Sequence, residues 1–370
     1  SLTRWIRNNL FETRFLYPHP PYGTIRIKKP QTKKAEVVMK FSGVLKKPFM
    51  IFILCVSIVA LTGSAWAGAY PSKPITLVAP YGPGGASDLA ARTLAAAIPG
   101  YIGQPVVVIN KTGAGGVTGS TFVSKKKPDG YTLLLSRIGC NAVAPALNAT
   151  IPYKWDAFTF LGLLELNPFV YVVKADAPYK TIDDLIAAIK KNPGKLNYST
   201  SGPMTLLNMG TQKLFSVAGL KSDAATMVPY KGGGGAKTAL LGGHVDFLAI
   251  NLAPVLDQIQ AGKLRALVVT TKKRFTAIPD VPTVREAGMP ELEDIIGWSG
   301  LWGPPNLPKE VVDKWVAALQ GVKKDKAWNK FTNSLGSIPQ ILSPAETEAF
   351  AKTQFEIYHE LGKQLGLLIK

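Results

Sequence analysis

The chain contains very little cysteine and very little histidine. Only 2 Cys and 3 His occur in 370 residues, and Cys55 lies in an apolar run near the N-terminus. Cys140 is the one cysteine after that run, so the rest of the chain forms no internal disulfide. His244 has no second His or Cys at a metal-ligand spacing, which argues against a zinc site. Neither a Ser-His-Asp triad nor a pair of catalytic carboxylates stands out, so no catalytic residue is assigned.

Two binding signatures are also missing. Residues 232–237, GGGGAK, have the wrong spacing for a phosphate-binding P-loop. Basic residues form no stripe with interleaved aromatics, so nucleic acid is not an expected partner. We therefore expect neither a cofactor nor a bound metal.

The first 67 residues have the character of a segment that precedes a folded domain. Residues 1–38 are polar, basic and proline-containing without a sustained period, and we expect a non-structural extension. Residues 39–67 have the pattern of a signal peptide, because lysines precede an apolar run at 49–61 and an Ala-Trp-Ala sequence fits cleavage after about Ala67. The run is shorter than the ~20 residues of a transmembrane span, although an uncleaved anchor is the alternative. Export without disulfides is typical of the bacterial periplasm.

Positive charge exceeds negative charge after the predicted cleavage point. The whole chain has 43 Lys and Arg against 24 Asp and Glu, and residues 1–67 hold 11 of the former and 2 of the latter. The remainder, 370 minus 67 or 303 residues, therefore carries 32 basic against 22 acidic side chains, an excess of +10. That length suits two α/β lobes of ordinary domain size. The charge favours anionic partners, and a surface with scattered lysines is the simpler alternative.

A glycine-rich turn joins an apolar strand to a helix near the start of this region. Residues 75–79 form a short apolar run typical of a buried parallel strand, and residues 89–98 place apolar side chains at helical spacing. Between them, Gly84 and Gly85 leave the first N–H groups of the helix accessible. These N–H groups carry the positive end of the helix dipole, so the turn predicts a seat for a carboxylate or phosphate. Asp88, in the first helical turn, is expected to be a dipole partner rather than a catalytic acid.

The same pattern of a glycine-rich turn between a strand and a helix occurs a second time. Pro229-Tyr230 and Gly233-Gly234 repeat Pro80-Tyr81 and Gly84-Gly85 at a constant offset of 149 residues, which is 229 minus 80. If each copy lies in a different lobe, the two turns face each other across a cleft and hold the two ends of a small dianion. Ordinary helix-sheet packing is the alternative for each copy taken alone.

Alternating strands and helices predict an α/β fold with two lobes. Residues 106–110 and 133–135 are further strands, each followed by a helical segment, so right-handed crossovers should form a parallel sheet. Ligands bind at the carboxyl ends of the strands in such sheets. We expect lobe 1 at 68–174 plus 296–370, with the strand at 169–174 leaving it, and lobe 2 at 175–295, with a hinge at the two crossings.

Several ordered motifs resemble one known family. They are YPSKPI at 70–75, PYGPGGASDLAAR at 80–92, NKTGAGGVTG at 110–119, DGYTL at 129–133, PYKGGGGAKTALLGGHVDF at 229–247 and IPDVPTVREAG at 278–288. On these motifs the sequence is similar to the extracytoplasmic receptors of tripartite tricarboxylate transporters, the Bug family. The resemblance implies a type II periplasmic-binding-protein fold, in which two Rossmann-like lobes with a hinge close on a small carboxylate in the cleft between them. It also implies delivery of that ligand to a membrane permease.

The resemblance further implies where the ligand is held. In this family, ligand carboxylates are bound largely by backbone N–H groups and water at the glycine turn of each lobe. The matching positions in this sequence are Tyr81, Gly82, Pro83, Gly84, Gly85 and Ser87 in lobe 1 and Tyr230, Lys231, Gly232, Gly233 and Gly234 in lobe 2.

Four side chains near predicted strand ends are further candidates for ligand contact. Arg137, in the loop expected after the third strand, offers a guanidinium that suits a bidentate pair with a carboxylate, and an exposed loop cation is the alternative. Thr200, Ser201 and Asn251 offer hydroxyl and amide groups, and helix capping is the alternative for each. The sequence departs from the common family pattern at Asn208, where the family often has His.

Together, the residues and the resemblance predict a monomeric, non-enzymatic periplasmic receptor for a small organic carboxylate. Arg137 favours an acidic ligand group, and Tyr81 and Tyr230 suit an aromatic ring, so a di- or aromatic carboxylate is the expected class. The expected partners are this ligand and the permease subunits of a tripartite tricarboxylate-type transporter. Two alternatives stay open. One is an exported α/β enzyme acting on a phosphate- or carboxylate-bearing small molecule, and the other is a sensory protein that serves a signalling partner.

Overall fold

Two β-sheets with helices packed against them make up the described part of the chain, residues 70–369 of a computed structural model. These residues belong to one compact unit. The predicted extension at 1–38 and the predicted signal peptide at 39–67 lie outside the described residues. Within residues 70–369, no helix is both long enough and apolar enough to span a membrane.

The first sheet has six strands in the order β11-β4-β10-β3-β1-β2. Strands β1, β2 and β3 are parallel to one another, as expected for consecutive β/α units, whereas β10 runs antiparallel to both β3 and β4. The carboxyl ends of β1 and β3 therefore lie side by side. The strand bounds are β1 Ile75–Ala79, β2 Val106–Asn110, β3 Thr132–Arg137, β4 Thr159–Asn167, β10 Gly297–Gly303 and β11 Ile338–Pro339.

The second sheet has five strands in the order β7-β6-β8-β5-β9. Strand β6 is parallel to β7 and β8, and β5 is antiparallel to β8 and β9. The carboxyl ends of β7, β6 and β8 therefore lie in one row. The strand bounds are β5 Phe169–Lys174, β6 Asn197–Thr200, β7 Thr226–Pro229, β8 Phe247–Asn251 and β9 Leu264–Val269.

The helices follow the strands in chain order. Side chains cap the N-termini of some helices. Thr181 and Asp184 form a reciprocal capping box at α5, and Ser343 and Glu346 form one at α11. Short 3₁₀ turns occur at Ala114–Gly116 and Pro290–Asp294, and a π-helical turn, π1, at Gly139–Val143. The α-helix bounds are α1 Ala86–Ala97, α2 Pro99–Ile102, α3 Val117–Ser124, α4 Ala144–Leu147, α5 Ile182–Lys191, α6 Leu206–Val217, α7 Gly233–Leu241, α8 Leu256–Gln260, α9 Lys309–Lys324, α10 Lys326–Ser334 and α11 Pro344–Gln364.

The central strands are buried because packed elements cover both of their faces. All five residues of β8 and all seven of β10 are buried, and continuous apolar runs are typical of strands in this position. Strand β2 is different, since it lies at the edge of its sheet and leaves Val107 52% exposed. The core therefore lies between the sheets and the helices that pack on them.

The two sheets confirm the expected two-lobed α/β architecture. The chain leaves the first sheet after Asn167 and enters the second at Phe169, and it is back in the first sheet at Gly297. One detail of the expected division is wrong, because β5 was assigned to lobe 1 but pairs with β8 and β9 of the second sheet. Its residues are apolar on both faces, so the sequence pattern contains nothing that distinguishes the two sheets.

Candidate ligand-binding site

The first glycine turn connects β1 to α1. Gly84 has φ +71°, a conformation that favours glycine, and Gly85 is the residue before the helix, with no side chain capping the N-terminus. Asp88 accepts hydrogen bonds from the Gly84 N–H at 3.1 Å and from Arg92 at 3.0 Å. Burial raises the pKa of Asp88, but the hydrogen bonds from Arg92, Gly84 and Asn110 outweigh it, so the net shift is downward. Asp88 is therefore ionised and stabilises the turn through these hydrogen bonds, which agrees with its predicted role as a partner of the helix dipole.

The second glycine turn connects β7 to α7 and touches the first. Gly232, with φ +148°, precedes the helix, and no side chain caps this N-terminus either. The Gly82 N–H donates a hydrogen bond to the Lys231 carbonyl oxygen at 3.0 Å. A Cβ added to Gly234 would overlap the carbonyl oxygen of Pro83. The two turns are thus brought face to face, with backbone packed directly on backbone.

Two more helical segments begin beside these turns. Segment π1, which continues into α4, follows Ile138, and α6 follows Thr205, and neither start is capped by a side chain. Together with α1 and α7, four uncapped N-termini line one interlobe cavity of about 40 Å³. We call it the inner cavity, and Ser87, Gly139, Leu206 and Gly233 represent the four helices in its wall.

The inner cavity has a positive electrostatic character. The first N–H groups of a helix lack intrahelical acceptors, and each N-terminus is equivalent to roughly half a positive elementary charge. Within residues 70–369, no Asp or Glu is among the residues that line this cavity. The Ser87 hydroxyl group adds an O–H donor, since this side chain is 3% exposed and has no hydrogen-bond partner in the described part of the chain. The arrangement is suited to an anion.

Arg137 contributes a full positive charge to the same wall. It is the last residue of β3, is 4% exposed and lines the inner cavity. Its guanidinium donates hydrogen bonds to Asn167 and Ser299 at 2.5 Å each and to Asn251 at 3.0 Å. The alternative of an exposed loop cation is therefore wrong. Burial lowers the pKa of Arg137, and the nearby Glu165 carboxylate partly opposes that shift.

A second, larger compartment adjoins the inner cavity. Its volume is about 300 Å³, and Tyr81 and Ser201 line both spaces, so we call it the outer compartment. Tyr230 and Lys231 of the second lobe face the glycine loop at residues 113–116 of the first lobe across it. Its wall thus combines aromatic rings with backbone groups, which suits a mostly apolar ligand body.

Tyr81 stands in the wall between the two spaces. Its ring and hydroxyl fill the room that a Cβ on Gly116 or Gly139 would need. Burial raises the pKa of Tyr81 well above its ordinary value, so the hydroxyl stays protonated. The absence of side chains at Gly116 and Gly139 therefore leaves the space that the Tyr81 side chain occupies.

The predicted site residues fall into three groups. Six of them form the contact between the turns or lie just behind it, because their backbone is used in lobe-to-lobe packing or in a local turn. Thr200, for example, donates to the Gly202 carbonyl oxygen and caps no helix. The residues in the inner cavity are Tyr81, Gly85, Ser87, Arg137, Ser201, Gly233 and Asn251; Tyr230 and Lys231 line the outer compartment; Gly82, Pro83, Gly84, Thr200, Gly232 and Gly234 line neither.

Sequence reasoning missed several wall residues. Gly139 and Leu206 begin two of the four helices, and Ile250 and Pro254 close the wall from the second lobe. Gly139 follows a predicted strand, so the strand-end rule that selected Arg137 would also have found it. Nothing in the sequence pattern distinguishes the apolar residues of this wall from ordinary core residues.

Two other depressions of the surface are less suited to an anion. A groove of about 710 Å³ beside β9 is lined by Asp183, Asp280 and Glu286 as well as by Lys180 and Arg265. A second depression, of about 670 Å³, lies in the first lobe beside Trp155 and Phe355. Neither involves both lobes or a glycine turn.

Comparison with known proteins places these features in context. A family model described as "Tripartite tricarboxylate transporter family receptor" (TctC) matches residues 90–367. The structure of the periplasmic binding protein BugD is 33% identical with a TM-score of 0.77, and the match covers 81% of this chain and 100% of that chain.

Two further similar structures contain ligands. MatC from Rhodopseudomonas palustris, with bound malate, is 27% identical with a TM-score of 0.75, covering 79% of this chain and 99% of that chain. Rpa4515 from R. palustris, with adipate, is 27% identical with a TM-score of 0.76, covering 80% and 98% respectively. Both ligands are small dicarboxylates.

Proposed function

The chain belongs to the receptor family of tripartite tricarboxylate transporters, and from that membership we propose that it is a periplasmic receptor that captures a small organic carboxylate and delivers it to a membrane permease. Solute binding is the role of the family. The ligand class, the location of this chain and the permease partner are proposed.

The observation that carries this function is the convergence of four uncapped helix N-termini on one interlobe cavity. Backbone N–H groups at helix starts bind carboxylates without any matching side chain. Arg137 and the Ser87 hydroxyl add donors to the same wall, and none of the residues of the described chain that line this cavity is acidic. An anion in this cavity would therefore be attracted by helix N-termini of both lobes.

The two volumes support a specific placement of the ligand. About 40 Å³ in the inner cavity suits one carboxylate group, which takes the place of a few water molecules. About 300 Å³ in the outer compartment suits the rest of the molecule. Tyr81 and Tyr230 can pack on an aromatic ring, while Lys231 can meet a second acidic group, so a di- or aromatic carboxylate fits this division. Malate and adipate in MatC and Rpa4515 support the carboxylate class by relationship.

We propose binding without turnover, by a monomer. Two ionisable groups near the cavity are in states unsuited to catalysis. Asp88 accepts hydrogen bonds from Gly84 and Arg92, and burial raises the pKa of the Cys140 thiol, which keeps it protonated. A thiol in that state is a poor nucleophile. The Cys140 side chain is completely buried.

A thermal-shift screen tests the proposed function. The purified protein is heated with mono-, di- and tricarboxylates, aromatic acids, amino acids, nucleotides and phosphate esters. A ligand that binds only the native state raises the melting temperature by mass action, by an amount that grows with ligand concentration. We expect a rise confined to one class of carboxylates. A rise with nucleotides or phosphate esters and none with carboxylates would contradict the proposal and favour an enzyme.

A further inference from the structure

Arg137 is a buried cation whose immediate partners are all neutral. The guanidinium donates to the amide oxygens of Asn167 and Asn251 and to the hydroxyl oxygen of Ser299. Among residues 70–369, no carboxylate lies within the 4.0 Å ion-pair distance of its nitrogen atoms. Buried charges are ordinarily paired or bound to a counterion, and here the Glu165 carboxylate is reached only through neutral side chains, so the guanidinium has no direct anionic partner.

The surroundings of Arg137 hold the guanidinium in one orientation. Asn167 and Ser299 each donate to the Glu165 carboxylate at 2.9 Å, so both stand between that anion and the cation. Asn251 reaches the guanidinium from the second sheet and also contacts the Asn167 carbonyl oxygen at 3.4 Å. These residues are at most 5% exposed. The cation is therefore fixed before any ligand arrives, and little side-chain entropy remains to be lost on binding.

Two donors of the guanidinium are left for a ligand. An arginine side chain has five N–H donors, and the three hydrogen bonds above use both of those on Nη1 and one on Nη2. Within residues 70–369, Nε and the second N–H of Nη2 have no hydrogen-bond acceptor. Nε and Nη2 are neighbouring nitrogens of the planar group, and an arginine binds both oxygens of a carboxylate through neighbouring N–H groups. Arg137 lines the inner cavity, whose volume suits one such group.

We propose that Arg137 is a specificity-determining residue that pairs with the ligand carboxylate seated in the inner cavity, with Asn167, Asn251 and Ser299 as its positioning residues. This inference rests on the proposed function. It adds to recognition by backbone N–H groups, because a guanidinium contributes a full positive charge and therefore discriminates a carboxylate from a neutral amide more strongly than those N–H groups do alone. A fixed, buried guanidinium distinguishes the two by charge.

The consequence is a strong preference for carboxylates over amides of the same shape, and that preference depends on Arg137. Hydrogen bonds to charged groups are stronger than neutral ones, and their loss corresponds to about 10- to 100-fold in affinity. Arg137→Gln should therefore weaken carboxylate binding by about that factor. Binding of the amide should change much less, so the ratio of the two affinities falls toward one.

Calorimetric titration of the protein with matched probes tests this. The probes are adipate, malate and benzoate, each compared with its amide, namely adipamide, malamide and benzamide. Arg285→Gln is the matched control, because it removes the same charge from an arginine that pairs with Glu293 and is 63% exposed. Circular dichroism and melting temperature report whether each variant folds.

Asn251→Asp is a second variant that keeps Arg137 in place. It puts a carboxylate of nearly the same shape against the guanidinium, so the protein supplies its own counterion and a ligand carboxylate gains less. The expected result is weaker carboxylate binding and a smaller carboxylate-to-amide ratio. This variant carries the test if Arg137→Gln does not fold.

The outcomes separate this inference from the proposed function. A fall in the carboxylate-to-amide ratio in Arg137→Gln or Asn251→Asp, with an unchanged ratio in Arg285→Gln, supports it. An unchanged ratio in a folded Arg137→Gln or Asn251→Asp variant overturns it, even if stability falls, and leaves the receptor function intact. If the unmodified protein binds no carboxylate at all, both the inference and the proposed function fail.

Discussion

Contact between the two glycine turns should limit how far the lobes can close, and Gly234→Ala perturbs that contact alone. The added Cβ would overlap the Pro83 carbonyl oxygen and lie 3.1 Å from the Gly84 carbonyl carbon and 3.3 Å from the Gly85 nitrogen. All three atoms belong to the backbone of the other lobe, so no side chain can swing aside. The lobes themselves must move apart.

The expected size of the effect follows from that overlap. Overpacking costs about 1–3 kcal/mol, and here the cost falls on the closed state only. A ligand that binds the closed state should therefore bind about 5- to 150-fold more weakly, since 1.4 kcal/mol is a factor of ten. The unbound protein should be as stable as before or slightly more stable, because alanine in a helix is favoured over glycine by roughly 0.5–1 kcal/mol.

Gly235→Ala is the matched control for this prediction. It lies in the same helix, but its Cβ would be 3.4 Å from the Cβ of Tyr230, an ordinary contact within one lobe. Calorimetric titration measures the affinity of each variant, and small-angle scattering with saturating ligand measures closure. If Gly234→Ala binds with unchanged affinity and compacts as much as the unmodified protein, the closed arrangement seen here is not the ligand-bound one, and the reasoning is refuted.

Three further predictions concern single side chains. Ser87→Ala should leave the melting temperature nearly unchanged, because the hydroxyl has no partner in the described chain, but should weaken carboxylate binding about 2- to 10-fold in calorimetry. Asp88→Asn should reduce the acid sensitivity of the fold, because the lowered pKa of Asp88 in the folded state gives stability that is present above pH ~4 and lost as the pH falls through that pKa. The melting temperature of the variant should therefore change less between pH 7 and pH 3 than that of the unmodified protein. An equally steep decline would contradict this. Thr181→Ala should cost about 1 kcal/mol of unfolding free energy in urea titration through loss of the α5 capping box, with unchanged ligand affinity because this helix is outside the site.

Local signals were sufficient to predict the parts of the site that depend on a few neighbouring residues. A glycine turn between an apolar strand and a helix is a short-range pattern, and Gly85 and Gly232 are indeed the residues before α1 and α7. The repeat of that pattern also predicted that the turns face each other. The family suggested by the motifs is confirmed by the match over residues 90–367.

Long-range contacts were not predictable in the same way. The burial of Arg137 depends on Asn167, Asn251 and Ser299, which lie 30, 114 and 162 residues further along the chain. No local pattern reports whether such strands meet. Strand β5 is a second example. The apolar residues of β5 suit either sheet, and its hydrogen bonds to β8 and β9 place it in the second one.

The most direct test of the central claim is amide hydrogen exchange, measured by mass spectrometry with and without a carboxylate that scores in the thermal screen. The account predicts slower exchange concentrated at the starts of α1, π1, α6 and α7, in both lobes at once, because the ligand is held by N–H groups at these positions. Slower exchange confined to one lobe, or to the groove beside β9, would contradict a carboxylate site between the lobes.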